Sequence, residues 1–328
     1  MKKYMFFPGC SLEGVGKPYL DSLEAIREPL GLTFEELEDW NCCGATEYPA
    51  MHRLGSLALQ GRNLAIAENQ AKDTRVITSP CSACYLNLSK TDHAMREDPG
   101  LAEKVNQALD AGGFHYTPGA LDVRHILDII LNDVGLDEIK SKVVKPLAGL
   151  KVAAYYGCVV VRPDYDKRFN NPEYPTVLED LIEALGAEAV DFPMSTHCCS
   201  GHMPSVTKSV AYEMIRDLID GAKGHHADLM ITICPMCQMN VDAYQADVNR
   251  FFKTNYQMPI LYFTQLIGLA FGISPQNLGI GKEAVSAQAA LNKIGSQTAK
   301  DEAAAKPAPK KREGLPMPQM PAKDEVKA

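Results

Sequence analysis

Apolar residues form short runs that end near cysteines, and longer stretches of helical spacing separate these runs. In the first half, YMFF before Cys10 and RVITS before Cys81 are typical of β-strands. Helical spacing covers residues 18–30 and 57–71 between them. Strands that alternate with helices favour an α/β module with a mainly parallel sheet.

The second half repeats this order of elements. The segments are a strand KVAAYYG before Cys158, a helix at about 174–185, a strand EAVDF, a helix near 210–222 and a strand DLMITI into Cys234. The pattern predicts two pseudo-repeated, Rossmann-like α/β modules. In open α/β sheets ligands gather at the carboxyl ends of strands, so the cysteines are expected to meet there.

Composition narrows the class of protein. The chain has 328 residues, of which 46% are hydrophobic, enough to form two folded cores. Its net charge of -8 gives no indication of nucleic-acid binding. The longest apolar stretches are too short to span a bilayer, so no direct membrane insertion is expected. Pro8 and Gly9 interrupt the N-terminal apolar run before it could form a signal-peptide core, which favours a cytoplasmic location.

The predicted boundaries follow the repeat. Residues 1–148 and 149–287 are expected to form the two modules. Residues 288–328 are rich in Ala, Lys and Pro without apolar periodicity, and are predicted to be a disordered tail.

All ten cysteines fall into two copies of one pattern, a single cysteine, an adjacent pair and a Cys-x-x-Cys. The first copy is Cys10, Cys42, Cys43, Cys81 and Cys84; the second is Cys158, Cys198, Cys199, Cys234 and Cys237. The gaps are 31 and 37 residues in one copy and 39 and 34 in the other. The pattern predicts one metal-binding module used twice.

Five thiols exceed the four ligands of a tetrahedral zinc or an ordinary cubane iron-sulfur cluster. The surplus favours a larger, polynuclear iron-sulfur centre in each module. Structural zinc, at one site or both, is the main alternative, and disulfides are disfavoured in a reducing compartment. No nucleotide or flavin motif stands in a strand-to-helix context, so electrons are expected to arrive from another protein.

The segments NCCGA at 41–45, SPCSACYLNL at 79–88, HCCSG at 197–201 and CPMCQMN at 234–240 resemble the cysteine-rich CCG domains of the heterodisulfide reductase B subunit. The resemblance covers about residues 1–282. Related subunits of hydroxy-acid and glycerol-3-phosphate dehydrogenases usually add ferredoxin-type cysteine runs, which this sequence lacks.

The resemblance implies that the ten cysteines hold two noncubane [4Fe-4S] clusters, one per module, facing each other across a disulfide. Each cluster would supply one electron as the disulfide is reduced to two thiols. The disulfide would be that of coenzyme M and coenzyme B or an analogous small-molecule or protein disulfide. No separate catalytic side chain is assigned.

The resemblance also implies partners: a ferredoxin-like C subunit, and behind it a flavin-bearing A subunit or a membrane cytochrome. Association with the membrane would then occur through these partners. The alternative function is an electron-transfer subunit of a hydroxy-acid or glycerol-3-phosphate dehydrogenase complex that feeds quinone.

Several residues near the cysteines receive minor roles. Ser200 stands where the first module has Gly44, and Gly201 is expected to supply the lost backbone freedom. His197 and His202 are expected to hydrogen-bond near the cluster rather than to ligate it. Trp40 is expected to shield the first site from water.

Overall fold

The computed structural model describes residues 2–46, 48–163, 165, 168–169 and 171–295. Within them the chain forms two α/β units, each with a four-stranded sheet in which every strand pair is parallel. The predicted fold class is confirmed.

The first unit has strand order β2-β1-β3-β4. Its strands are β1 (Lys2–Phe6), β2 (Leu32–Glu36), β3 (Val76–Ser79) and β4 (Asp122–His125). Its helices are α1 (Lys17–Arg27), α2 (Tyr48–Met51), α3 (Arg53–Gln70), α4 (Ser82–Glu97), α5 (Pro99–Asp110), α6 (Ile126–Asp128) with a π-helical continuation (Ile129–Val134), and α7 (Leu136–Ser141).

The second unit has the same topology, β6-β5-β7-β8. Its strands are β5 (Lys151–Tyr155), β6 (Glu188–Ala189), β7 (Leu229–Thr232) and β8 (Ile260–Tyr262). Its helices are α8 (Val177–Ala184), a 3₁₀ turn (Met203–Ser205), α9 (Lys208–Gly224), α10 (Pro235–Ala243), α11 (Gln245–Phe252) and α12 (Phe263–Ala270).

The predicted elements appear within a few residues of their expected bounds, with two differences. EAVDF pairs only over Glu188–Ala189, and Cys10 and Cys158 lie three or four residues beyond the ends of β1 and β5 instead of at them. The sequence pattern does not predict β2, β4 or β8. Strand β2 reads LTFEE and is only partly buried, so its apolar signal is weak.

The two units contact each other through aromatic and hydroxyl side chains. Tyr19 in α1 stacks on Tyr262 at the end of β8, with ring centroids 4.3 Å apart. The Ser22 and Thr264 hydroxyls are 2.6 Å apart at the same buried contact. The carboxyl edge of the second sheet is therefore covered by the first helix of the first unit.

The predicted disordered tail differs from the structure over its first residues. Residues 288–291 form a short helix, α13 (Gln288–Leu291), with Ala290 buried. The Gly295 amide donates to the Ala148 carbonyl at 2.7 Å, which holds this segment against the chain. Residues 296–328 of the predicted tail lie outside the described residues.

None of the helices in the described part of the chain combines the length and the apolar character that a bilayer span requires.

Candidate metal centre

Three loops at the carboxyl edge of each sheet carry the cysteines. In the first module Cys10 follows β1, the pair Cys42 and Cys43 follows β2, and Cys81 is the N-cap of α4 after β3. In the second module the corresponding loops follow β5, β6 and β7, and Cys234 is the N-cap of α10. Matching topology therefore delivers matching thiols to one edge.

Within the first module the thiols meet in pairs. The Sγ atoms of Cys10 and Cys42 are 3.7 Å apart, and those of Cys43 and Cys84 are 3.3 Å apart. Two thiolates bound to one tetrahedral metal at about 2.3 Å each would lie roughly 3.8 Å apart. The Cys10–Cys42 spacing fits two ligands of one metal atom.

The second module repeats these contacts. Cys158 and Cys199 lower the pKa of Cys198, and Cys199 and Cys234 raise the pKa of Cys237, so these thiols are neighbours. The Cys-x-x-Cys segments of the two modules also lie close together, because the Tyr19 hydroxyl of the first unit donates to the Ile233 carbonyl, directly before Cys234, at 3.3 Å, and Cys81 and Cys234 shift each other's pKa. The structure thus gathers the ten predicted site residues in two neighbouring groups of five.

Exposure divides each set of thiols. The Cys-x-x-Cys thiols and the second thiol of each pair are buried: Cys43, Cys81, Cys84, Cys199, Cys234 and Cys237. Cys10 and Cys42 are exposed, while their counterparts Cys158 and Cys198 are half-buried. Each site therefore has a buried interior and an edge that other molecules can reach.

Shared hydrogen bonds among the thiols favour thiolate at some positions. The hydrogen bond from Cys84 lowers the pKa of Cys43 to about 7, and the hydrogen bond from Cys158 lowers the pKa of Cys198 to about 3. The hydrogen bond from Cys237 holds the pKa of Cys234 well below its ordinary value. Thiolate is the form that binds metal, so each module offers a ready anionic ligand.

An asparagine stands at the same place in both modules, three residues after each Cys-x-x-Cys. Asn87 Nδ2 donates to the Cys43 carbonyl at 3.2 Å and lies 3.7 Å from its sulfur. Asn240 Nδ2 donates to the Cys199 carbonyl at 3.0 Å and lies 3.6 Å from its sulfur. This pair was not among the residues expected from the sequence, although the repeated spacing C-x-x-C-x-x-N was the signal that could have found it.

A glycine precedes the first cysteine of each module for a steric reason. Gly9 and Gly157 both have φ +69°, and a Cβ there would lie 2.7 Å from Cys84 Sγ and 2.9 Å from Cys237 Sγ. Real Cβ atoms do not approach sulfur so closely. Only glycine lets the backbone pass the Cys-x-x-Cys thiol at this distance.

Ser200 differs from its expected role. The sequence pattern assigns the backbone freedom to Gly201, but Ser200 itself has φ +76° and Gly201 has φ +56°. Gly44 has φ +70°, so the loop keeps its shape with a serine in place of glycine. The buried Ser200 hydroxyl has no hydrogen-bond partner among the described residues.

The histidines and the tryptophan take structural positions. His202 Nε2 contacts the Ala45 carbonyl, which joins the two cysteine-pair loops. His125 is buried and accepts from the Leu127 amide as the N-cap of α6. Trp40 packs edge-on against Phe7, with centroids 5.5 Å apart, on the exposed side of the first site.

The donor set is rich in thiols, which bind zinc and iron-sulfur clusters alike. Among the described residues, which include every cysteine, no three His, Cys, Asp or Glu side chains are placed to hold one metal ion. A tetrahedral zinc needs four ligands around one point. Five thiols in each module also suit an iron-sulfur cluster, in which inorganic sulfide completes the coordination.

Comparison with known proteins identifies the repeat. The family described as "Cysteine-rich domain" (CCG) matches residues 4–89 and 152–242. The chain is 37% identical to the 8-methylmenaquinol:fumarate reductase membrane anchor subunit of Wolinella succinogenes, over 87% of this chain and 98% of that protein. It is 30% identical to the B subunit of the ferredoxin/F(420)H(2)-dependent CoB-CoM heterodisulfide reductase of Methanosarcina acetivorans, over 90% of this chain and 97% of that protein.

A further relative, from Archaeoglobus profundus, is a protein described as similar to the heterodisulfide reductase B subunit, 30% identical over 85% of this chain and 93% of that protein. Among solved structures, the crystal structure of a hypothetical protein from Helicobacter pylori matches with a TM-score of 0.66 at 14% identity. That match covers 87% of this chain, which spans about half the length of the solved chain. At this identity the likeness concerns the fold alone.

Proposed function

Because the chain belongs to the family of the heterodisulfide reductase B subunit, with two cysteine-rich CCG domains, we propose that it is the catalytic iron-sulfur subunit of a disulfide-reducing complex. The proposed ligands are all ten cysteines, five for each of two noncubane [4Fe-4S] clusters. The proposed domains are residues 1–148 and 149–287. The observation that carries the proposal is the closeness of the two Cys-x-x-Cys segments, where the Tyr19 hydroxyl of the first unit donates to the Ile233 carbonyl beside Cys234, which supports two adjacent sites.

Two adjacent one-electron centres suit a two-electron reaction. Cleavage of one disulfide consumes two electrons and two protons and releases two thiols. Each cluster, when bound, would supply one of those electrons. The chain itself would hold the clusters on its buried thiols and present their edges at Cys10 and Cys42 and at Cys158 and Cys198.

The loops that carry the cysteine pairs support a shared substrate site. His202 of the second module contacts the Ala45 carbonyl of the first, so the two loops lie against each other. A disulfide that reaches one loop is therefore close to the other. The proposed partners are a ferredoxin-like C subunit and a flavin-bearing A subunit or a membrane cytochrome, through which the complex would associate with the membrane.

The test is to mix chemically reduced, anaerobic, full-length protein with the coenzyme M–coenzyme B disulfide, and separately with cystine. The proposal predicts that two thiols form per disulfide cleaved and that the paramagnetic signals of the clusters change. Cys199→Ala, designed to remove a ligand from one cluster, is the matched variant and should lose disulfide cleavage. Signals that no disulfide alters would contradict the proposed function.

A second function is favoured by the 37% identity to the membrane anchor subunit of a menaquinol:fumarate reductase. In this alternative the chain is an electron-transfer subunit of a quinone-linked dehydrogenase or reductase complex and cleaves no disulfide. A menaquinol analogue would then reduce the oxidised protein, or a menaquinone analogue would reoxidise the reduced protein, whereas the disulfides would not reoxidise it. The two functions therefore give opposite results in one experiment.

A further inference from the structure

The buried phenol of Tyr262 lacks a hydrogen-bond partner at the junction of the two sites. Tyr262 ends β8, pairs with Thr232 on β7 and is only 1% exposed. Thr232 lies two residues before Cys234, so the ring stands at the same edge of the sheet as that thiol. Its hydroxyl has no partner among the described residues. A buried hydroxyl left unpaired costs about 1–3 kcal/mol, so a partner is expected.

The surroundings of the ring place it beside sulfur. Tyr262 stacks on Tyr19, whose hydroxyl donates to the Ile233 carbonyl at 3.3 Å, directly before Cys234. Burial, followed by the negative potential of the Cys234 and Cys81 sulfurs, raises the pKa of Tyr262 well above its ordinary value. The phenol therefore keeps its proton and remains a donor.

The neighbouring acceptors are already engaged. Gln265 Oε1 accepts from the Tyr262 amide at 2.8 Å, which leaves it tied to the backbone. The Asp242 carboxylate accepts from the Ala284 and Val285 amides at 2.7 and 3.0 Å. The sulfurs of Cys234 and Cys237, whose charges act on the phenol, are acceptors that remain at this place, beside the unpartnered Thr232 hydroxyl.

We propose that the Tyr262 hydroxyl donates a hydrogen bond to a sulfur of the cluster held by the second module and raises that cluster's reduction potential. Hydrogen bonds to cluster sulfur stabilise the reduced, more negative state. This inference rests on the two clusters of the proposed function and does not depend on disulfide cleavage.

The first module has a histidine, His125, where the second has Tyr262, while the buried Thr78 and Thr232 hydroxyls lack a partner among the described residues in both modules. His125 ends β4 as Tyr262 ends β8, but its Nδ1 accepts from the Leu127 amide and its Nε2 lies 3.5 Å from the Ser82 hydroxyl. Both ring nitrogens of His125 therefore already have partners. Tyr262 would thus make the two clusters unequal, which would favour electron flow from the first module to the second.

The test is Tyr262→Phe in the full-length, anaerobically purified protein, with reduction potentials measured by titration followed by paramagnetic resonance. One cluster should shift to a more negative potential while the other and the iron content stay unchanged. The matched control is Tyr212→Phe, because Tyr212 is 6% exposed in the same module and its hydroxyl donates to the Asp247 carboxylate at 3.5 Å. The control should leave both potentials in place.

Replacement of Tyr262 by 3-fluorotyrosine is a second variant that keeps the ring, so the fold is retained. The fluorine makes the hydroxyl a stronger hydrogen-bond donor. It should move the same potential in the opposite direction. Unchanged potentials in both Tyr262 variants, or equal shifts in the Tyr212 control, would overturn the inference. Purified protein that contains no iron would overturn both this inference and the proposed function. Two clusters whose paramagnetic signals do not change when a disulfide is added would overturn only the proposed disulfide reduction.

Discussion

The two modules are alike in their buried interiors and differ at the edges where their thiols are accessible. Both have the same strand order, the same glycine before the first cysteine and the same asparagine after the Cys-x-x-Cys. At the edges, Cys10 and Cys42 are exposed, while their counterparts Cys158 and Cys198 are half-buried and the positive charge of Arg162 acts on Cys198. We infer that the interior is built to hold the cluster and the edge to meet different molecules.

The largest expected effect is the loss of one cluster while the other module keeps its own. Cys43→Ala and Cys199→Ala should each remove one cluster, so the iron content should fall from about eight to about four atoms. Iron analysis and paramagnetic resonance of the two variants check this outcome. If both variants kept full iron content, the assignment of these thiols as ligands would be wrong.

The next largest effect is expected at the glycines that lie against a Cys-x-x-Cys thiol, one in each module. Gly157→Ala should displace Cys237 and cost about 1–2 kcal/mol of backbone strain, with loss of much of the second cluster. Gly9→Ala should do the same to Cys84 and the first cluster. Gly224→Ala is the control, since its added Cβ meets nothing within 4 Å. Equal cluster content in all three variants would contradict the steric argument.

Substitution of the asparagine that follows each Cys-x-x-Cys should have a smaller effect, confined to its own module. Asn240→Leu should lower the free energy of unfolding by about 1–3 kcal/mol and alter only the second cluster's signal. Asn87→Leu should act only on the first. Asn106→Leu removes comparable backbone hydrogen bonds at Tyr116, where no cysteine lies nearby, so it should destabilise the protein without a spectral change. Denaturation and resonance spectra separate the two effects.

The weakest effect concerns Gly44 and Ser200, where the cysteine-pair loops differ. Ser200→Gly should raise the free energy of unfolding by about 1 kcal/mol, because it relieves a left-handed non-glycine residue. Gly44→Ser should lower it, since a Cβ there would lie 2.8 Å from Leu59 Cδ2. Chemical denaturation of the two variants measures both changes. A destabilised Ser200→Gly would indicate that the serine hydroxyl binds something in the assembled site.

The sequence predicts the cysteines and the strands and helices around the site, because these features depend on residues close together in the chain. The cysteine spacing, the buried strands before Cys81 and Cys234 and the helices that follow them all depend on neighbouring residues. The contact between the modules could not be predicted in this way. Tyr19 and Tyr262 are separated by more than two hundred residues, and neither lies in a repeated motif that marks it as a partner of the other.

Two further differences have physical causes. Ser200 adopts a left-handed conformation that its residue type disfavours, so propensity pointed to Gly201 instead. The start of the predicted tail is helical because Ala290 packs into the core and Lys293 pairs with Asp228, contacts that composition does not reveal.

The proposed chemistry depends on one chain holding two polynuclear iron-sulfur clusters side by side. The decisive measurement is the iron, sulfide and zinc content of the anaerobically purified protein, together with its paramagnetic resonance spectrum after reduction. We expect about eight irons, matching sulfide, no zinc and two clusters whose signals interact. Two zincs without iron, or one cluster with one zinc, would contradict this assignment.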